Sequence, residues 1–258
     1  MFRQLANKIV LITGASTGIG EACAKIFHSN GNHVIITARR LDKLNALKEE
    51  LLKVNKNSKV LALELDVSCE DSLQRFVKDL PDDMKDIDIL INNAGCAIGV
   101  DPVANILAKD LNQVLDTNVK GVFNVTREFL PSMIKLNRGH IFNISSIAGS
   151  MWYPNGSIYC ASKAAINAFS DVLRKEVVAT KIRVTNVCPG LVETDFSVVR
   201  FGGDVEKAKV PYKGIEPLTA EDIADNIFYC ASRPEHVQIT EITIMANNQA
   251  SPSVIHRN

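Results

Sequence analysis

A tyrosine and a lysine stand four residues apart in the run Tyr159-Cys160-Ala161-Ser162-Lys163. On a helix, residues at that spacing share a face. A phenol is a poor base at its usual pKa of about 10, and a neighbouring ammonium favours its ionised form. Such a pair can move protons near neutral pH. Ser146 lies upstream, just past an apolar run; its hydroxyl could hold a substrate oxygen and stabilise charge growing on it. Asn118, in Asp116-Thr117-Asn118-Val119-Lys120, is an amide among helical apolar positions, which is costly unless it is bonded. It could hold a water that links Lys163 to solvent. A proton relay of this kind suits hydride transfer between an alcohol and a carbonyl, because the alcohol must shed its hydroxyl proton as the hydride leaves.

A hydride needs a carrier, and the start of the chain offers a place for one. Thr13-Gly14-Ala15-Ser16-Thr17-Gly18-Ile19-Gly20 follows the apolar run Lys8-Ile9-Val10-Leu11-Ile12 and opens a helical pattern. Gly14, Gly18 and Gly20 allow backbone to approach a diphosphate, with Ser16, Thr17 and Ile19 beside it at the positive end of the helix. The spacing Gly-x-x-x-Gly-x-Gly lacks the Gly-Lys-Ser or Gly-Lys-Thr ending of a nucleotide-triphosphate loop. After the second strand stands Arg39-Arg40, where an NAD site wants a carboxylate for the ribose hydroxyls. Two guanidinium forks suit a 2′-phosphate instead, so the expected cofactor is NADP(H), read by Arg39 and Arg40. Asp66-Val67 follows the third strand; Asp66 could accept from an adenine amino group or cap a turn. Asn93, Ala94 and Gly95 follow the fourth strand, where small residues let ribose and nicotinamide lie close and an asparagine amide can bridge backbone and sugar. Pro189, Gly190, Val192 and Thr194 follow the sixth, placed to flank the nicotinamide.

These residues need a frame that brings strand ends together. Apolar strands are expected at 8–13, 33–38, 59–65, 87–91, 140–145, 182–188 and 239–245. Between them lie helical patterns: 18–30, a leucine-spaced stretch from Leu41 to Leu52, a segment capped by Ser68 with Asp71, a long helix over 110–136 with a bend near Pro131, another over 157–179, and one capped by Thr219 with Asp222. Near-continuous apolar strands separated by helices make a parallel sheet covered on both faces. The glycine- and proline-bearing stretch 190–217 reads as a lid over the site or as a surface excursion.

The 258 residues, 46% hydrophobic, are enough for one large core. Lysine plus arginine equals aspartate plus glutamate at 29 each, which gives no reason to expect a nucleic-acid partner. No apolar run reaches bilayer-spanning length, and the polar start Met1–Lys8 leaves no room for a cleavable leader before strand one. Six cysteines without a Cys-x-x-Cys pair read as reduced, mostly buried thiols of a cytoplasmic protein, with a nuclear presence left open. The five histidines show no metal-ligand spacing, so no metal is expected. An acyl-transfer serine at Ser145 or Ser146 lacks the Gly-x-Ser-x-Gly elbow.

Gly14, Gly18, Gly20, Asn92-Asn93-Ala94-Gly95, Asn118, Ser146, Tyr159, Lys163 and Pro189-Gly190 together resemble the short-chain dehydrogenase/reductase family over nearly the whole chain. The resemblance implies a single-domain, doubly wound α/β (Rossmann) fold with seven parallel strands in the order 3-2-1-4-5-6-7. It also implies an Asn118-Ser146-Tyr159-Lys163 tetrad with Ser146 rather than Ser145 as the catalytic serine, 4-pro-S hydride transfer, and commonly a homotetramer, with a homodimer as the smaller alternative.

Ala38–Leu44, Gly149–Lys163, Gly190–Arg200 and the tail from Asn248 are similar to the NADP-dependent 3-hydroxy acid dehydrogenases of fungi and bacteria. That likeness implies serine, L-allo-threonine and small 3-hydroxy acids as substrates, oxidised at the 3-hydroxyl, and a tail over about 247–258 that packs across a tetramer. Arg200 is the candidate cation for a substrate carboxylate, and Trp152-Tyr153-Pro154 is a candidate pocket wall. Cys96 and Phe201-Gly202-Gly203 depart from the subgroup and could reshape the pocket. A broad carbonyl reductase of the same fold and a non-catalytic NADP sensor or scaffold are the competing functions; an intact relay argues against the sensor.

Overall fold

The computed structural model describes residues 5–258; what was expected of Met1–Gln4 lies outside the described residues. Seven strands, β1 (Ile9–Thr13), β2 (His33–Ala38), β3 (Val60–Glu64), β4 (Ile89–Asn92), β5 (Gly139–Ile144), β6 (Ile182–Pro189) and β7 (Glu241–Ile244), form one parallel sheet in the order β3-β2-β1-β4-β5-β6-β7. The period of two along each strand divides the core. Val10, Ile12, Val34, Ile36, Ile89, Ile91 and Phe142 face one side. There they meet α1 (Gly18–Ser29), α2 (Leu41–Val54) and α9 (Ala220–Ala231) through Phe27, Leu44, Leu51 and Ile227. Leu11, Ile35, Leu90, Ile141 and Val184 face the other side, against Phe76 of α3 (Glu70–Asp79), Phe129 of α5 (Gly121–Leu136) and Leu173 of α6 (Ser157–Glu176). The Phe76 and Phe129 rings meet edge-on at 6.2 Å, a geometry that adds about 1 kcal/mol beyond the area buried.

β1 pairs with β2 on one side (Leu11 opposite Ile35) and with β4 on the other (Leu11 opposite Leu90). Strand order reverses there, so a crevice opens at the carboxyl ends of β1 and β4. At the opposite end of the sheet a buried carboxylate ties strand starts together. Asp88 accepts from the Ile9 amide at 3.1 Å and pairs with Lys8 at 3.2 Å and Arg138 at 3.1 Å.

Two local expectations are corrected, and the long helix holds a turn that the sequence does not announce. Ser68 does not cap α3: its hydroxyl donates to Asp66 at 2.6 Å, because the nearer carboxylate is a stronger acceptor than amides of the helix. The cap position falls to Cys69, which makes no side-chain capping bond. The long helix runs through Pro131, which sits inside α5. Its irregularity is a π turn over Asp116–Lys120, between α4 (Ala108–Leu115) and α5. The stretch 190–217 is more regular than its glycines suggest, holding α7 (Asp195–Arg200) and α8 (Val205–Lys209). Thr219 and Asp222 do form a reciprocal capping box on α9.

Candidate active site

The crevice is built on Thr13 and Asn93. The Thr13 hydroxyl accepts the amides of Asn93 and Ala94, each at 3.0 Å, while the Asn93 amide donates to the carbonyls of Thr13 at 2.9 Å and Gly14 at 3.0 Å. Both Asn93 amide hydrogens are thus spent inside the protein. Asn93 braces the two strand ends through these hydrogens while still lining the cleft. Gly14 has φ of +66°, and a Cβ there would lie 2.8 Å from Ala94 Cα; only glycine fits. Gly20 is buried, and a Cβ on it would lie 2.5 Å from the Gly14 carbonyl and the Asn93 amide. Its task is close packing of the turn, not contact with the cleft. Thr17 caps α1 without a side-chain bond, so the first-turn amides and the positive helix end face the crevice uncovered.

The cleft measures about 780 Å³ and runs from Arg39 and Arg40, past Gly18 and Ala94, to Tyr159 and Arg200. That is within the range of roughly 300–1,000 Å³ typical of cofactor sites. Ser16, Thr17, Ile19, Asp66, Val67, Gly95, Pro189, Gly190, Val192 and Thr194 border it along its length. Arg39 and Arg40 are exposed at one end, and Arg40 donates to the Ser16 hydroxyl at 3.0 Å. Asp66 accepts from the amide and hydroxyl of Ser68, the turn-capping alternative, while still bordering the cleft. The uncovered helix end, the glycine cradle and the pair of guanidinium groups fit a dinucleotide carrying an extra phosphate.

At the other end Tyr159, Ser146 and Lys163 converge. The Ser146 hydroxyl donates to the Pro189 carbonyl at 3.3 Å and accepts the Ala148 amide at 3.1 Å. Lys163 is buried, its Nζ donates to the Ile144 carbonyl at 2.8 Å, and it lies 5.6 Å from the Tyr159 ring centroid. Burial pushes the Lys163 ammonium down to about 8. Burial likewise raises the Tyr159 phenol, with the Ser146 hydroxyl and the Arg200 guanidinium pulling weakly the other way. Burial thus opposes the acidification expected from the Lys163 ammonium, one of whose donors is held by the Ile144 carbonyl.

Asn118 lies in the π turn and is buried. Its Oδ1 accepts the Cys96 amide at 2.8 Å, and its Nδ2 donates to the Cys96 carbonyl at 2.8 Å and to Ser162 at 3.0 Å. Both amide hydrogens are committed, so the side chain braces the loop after β4. A Cβ on Gly95 would sit 3.3 Å from Asn118 Oδ1 and 3.6 Å from Lys163 Nζ, so that glycine keeps the two groups close.

α7 spans the cleft. Thr194 caps it through the Phe196 amide at 3.4 Å, and a Cβ on Gly18 would meet the Thr194 methyl at 3.2 Å. The Phe196 ring lies 5.7 Å from that of Tyr159. Tyr212 donates to the Val192 carbonyl at 2.9 Å and shares a 2.5 Å bond with Ser197. From the tail, buried Gln249 accepts the Leu191 amide at 2.9 Å, and Arg257 donates to the carbonyl of Pro211 at 3.1 Å. Among the described residues no group of His, Cys, Asp or Glu is placed to hold a metal ion, and no helix is long and apolar enough to cross a membrane.

Residues 8–201 match the family model for short chain dehydrogenase. The chain belongs to that family. It is 43% identical over 251 residues to an NADP-dependent 3-hydroxy acid dehydrogenase of Salmonella typhi, covering 96% of this chain and 99% of the relative. It is also 43% identical over 255 residues to an NADP-dependent 3-hydroxy acid dehydrogenase of Schizosaccharomyces pombe, covering 98% of each. Among solved structures, the closed form of a serine dehydrogenase complexed with NADP+ superposes with a TM-score of 0.91 at 40% identity, covering 97% of this chain and 100% of that one.

Several residues of this short-chain dehydrogenase that border the cleft carried no local sign of it. Phe196, Tyr212 and Gln249 line the cavity, yet their approach depends on how α7 and the tail fold back. Gln249 offers one hint, as the last of three consecutive amides, Asn247-Asn248-Gln249, after the last strand.

Proposed function

We propose that the protein transfers a hydride between NADP(H) and the 3-hydroxyl or 3-oxo group of a small 3-hydroxy acid such as serine or L-allo-threonine. The observation that carries this is the convergence of Tyr159, Ser146 and Lys163 at the strand-end wall of a cleft whose far end holds Arg39 and Arg40. The activities named for the relatives support the substrate class.

In this reading Arg39 and Arg40 hold the 2′-phosphate, and the α1 amides with Gly14, Ser16, Thr17, Gly18 and Ile19 hold the diphosphate. Asp66 and Val67 flank the adenine. Asn93, Ala94, Gly95, Pro189, Gly190, Val192 and Thr194 surround the inner ribose and nicotinamide, with Lys163 donating to the ribose. The nicotinamide ring supplies a site that accepts or returns the hydride. Tyr159 Oη, ionised with the Lys163 ammonium behind it, takes the substrate's hydroxyl proton during oxidation and gives it back during reduction. The Ser146 hydroxyl holds the reacting oxygen. Lys163 supplies positive charge behind the phenol, and Asn118 positions the loop that keeps Lys163 in place. The Arg200 guanidinium binds the substrate carboxylate. Residues 190–217 act as a lid and 247–258 as a tail that steadies it.

The exposed Phe123 and Val172 support the homotetramer implied by family resemblance, and six free thiols suit a reducing, cytoplasmic setting.

Purified protein is to be tested with NADP and NAD against L-serine, D-serine, L-allo-threonine, 3-hydroxybutyrate and an apolar secondary alcohol. Turnover of the hydroxy acids, lost in Tyr159→Phe while NADP binding persists, is expected. Clear carbonyl reduction without turnover of any hydroxy acid would replace this reading with the broad carbonyl reductase.

A further inference from the structure

Arg200 closes α7 and points back across the cleft. Two strands of contact hold it there. The Gly99 amide donates to the Arg200 carbonyl at 3.0 Å, and Arg200 Nε donates back to the Gly99 carbonyl at 3.4 Å. Arg200 Nη1 donates to the Tyr153 hydroxyl at 3.2 Å. The guanidinium carbon lies 5.7 Å from the Tyr153 ring centroid and 5.9 Å from that of Tyr159, both within cation–π range. Among the described residues no carboxylate forms an ion pair with Arg200, and its Nη2 makes no hydrogen bond. A half-buried cation beside the reacting phenol thus keeps donors in reserve.

Two glycines shape these contacts. Gly99 has φ of +68°, and a Cβ there would lie 2.7 Å from Asp101 Oδ2. A Cβ on Gly156 would lie 2.3 Å from Tyr153 Cε2, so the Tyr153 ring occupies the space that the missing side chain leaves. One glycine shapes the loop that receives the lid; the other seats the ring under the guanidinium.

We propose that Gly99, Tyr153 and Gly156 are positioning residues: they form a notch that fixes one rotamer of Arg200 and turns its unused donors toward the substrate carboxylate. The proposal rests on the 3-hydroxy acid reading above. An arginine already ordered by two walls of the cleft loses little further side-chain freedom when the anion arrives. Its planar fork gives a directional contact that a lysine in the same place would not. The notch also makes lid closure and anion recognition one event, since the bonds that fix the guanidinium are those that join α7 to the loop after β4.

The test compares 3-hydroxybutyrate with its methyl ester at saturating NADP, a pair that differs in the carboxylate charge. In Tyr153→Phe the KM for the acid is expected to rise about tenfold, the loss of one hydrogen bond to a charged group, with kcat within about twofold and the ester's KM unchanged. Gly156→Ala should act in the same direction by displacing the ring. Arg200→Gln should abolish the preference for acid over ester, and Arg200→Lys should lose most of it despite keeping the charge.

Acid and ester KM values rising together in Tyr153→Phe would overturn the proposal, because the notch would then be general packing. Preference kept in Tyr153→Phe and Gly156→Ala but lost in Arg200→Gln would also overturn it, because Arg200 would read the anion without help. Full preference in Arg200→Lys would do the same. A wild-type enzyme without any acid preference would remove the 3-hydroxy acid reading itself and the notch's purpose with it. Thermal shifts on adding NADP show whether each variant is folded.

Discussion

Replacing Asn118 with alanine would remove three buried hydrogen bonds at once. The Cys96 amide and carbonyl, each bonded to Asn118 at 2.8 Å, would lose their partner within a buried stretch. Ser162 keeps its bond to the Tyr159 carbonyl at 2.8 Å, so it is not orphaned. Leaving a buried backbone group unpaired costs about 1–3 kcal/mol. Two such groups, partly relieved by local rearrangement, give about 3 kcal/mol. For a chain of this size each kcal/mol moves the melting midpoint by about 2–4 °C, so Asn118→Ala should melt about 6–12 °C below the wild type. Asn118→Asp should recover less than half of the loss, because a carboxylate accepts the Cys96 amide but repels the Cys96 carbonyl. Calorimetry of the three proteins at pH 7.5 measures this directly. An Asn118→Ala midpoint within about 2 °C of the wild type would refute the reasoning, since it would mean that the Cys96 backbone finds other partners without cost.

Joint replacement of Arg39 and Arg40 by alanine should weaken NADP by at least about 100-fold while NAD changes by less than about threefold, measured by titration calorimetry. Stability should also fall as pH drops through the histidine range. His28 and His140 are both buried, and burial lowers both below the usual value, with Arg183 adding to the effect at His140. The unfolded chain then binds protons below about pH 6.5 that the folded chain refuses. Urea midpoints at pH 7.5 and 5.0 should differ in the wild type and differ less in His140→Gln. Asp88→Asn should cost about 2 kcal/mol in the same denaturation assay, because the amide still accepts from Ile9 but no longer pairs with Lys8 and Arg138.

The parallel sheet and the pairing of Tyr159 with Lys163 were readable because each depends on local periodicity: two along a strand, about 3.6 along a helix. The capping box at Thr219 was readable for the same reason, as both partners lie within one turn. Ser68 departs from its expected place as a cap because Asp66, two residues back, outcompetes the helix amides. The π turn lies beside Gly121 rather than at Pro131, and Asn118 within it bonds Cys96, distant in sequence, so no local pattern fixes its place. Tyr159 showed the largest gap. Its spacing from Lys163 was legible, but the upward push on its phenol comes from burial under elements such as α7. The clasp of Gly99 on Arg200 joins positions a hundred residues apart, and no local pattern announces it.

The π turn has a consequence for how this helix can change over time. One extra residue in a spiral of 3.6 per turn rotates everything downstream by about 100°. Upstream, Val114 is the buried residue of α4; downstream, Val125, Phe129 and Met133 are seated in the core. The five residues Asp116–Lys120 work as a phase adjuster between two threads of a screw. Deleting one of them would let the turn close into regular α-helix with Phe129 still facing Phe76. Substitutions on either side of the joint, by contrast, can accumulate without each having to suit the other's alignment.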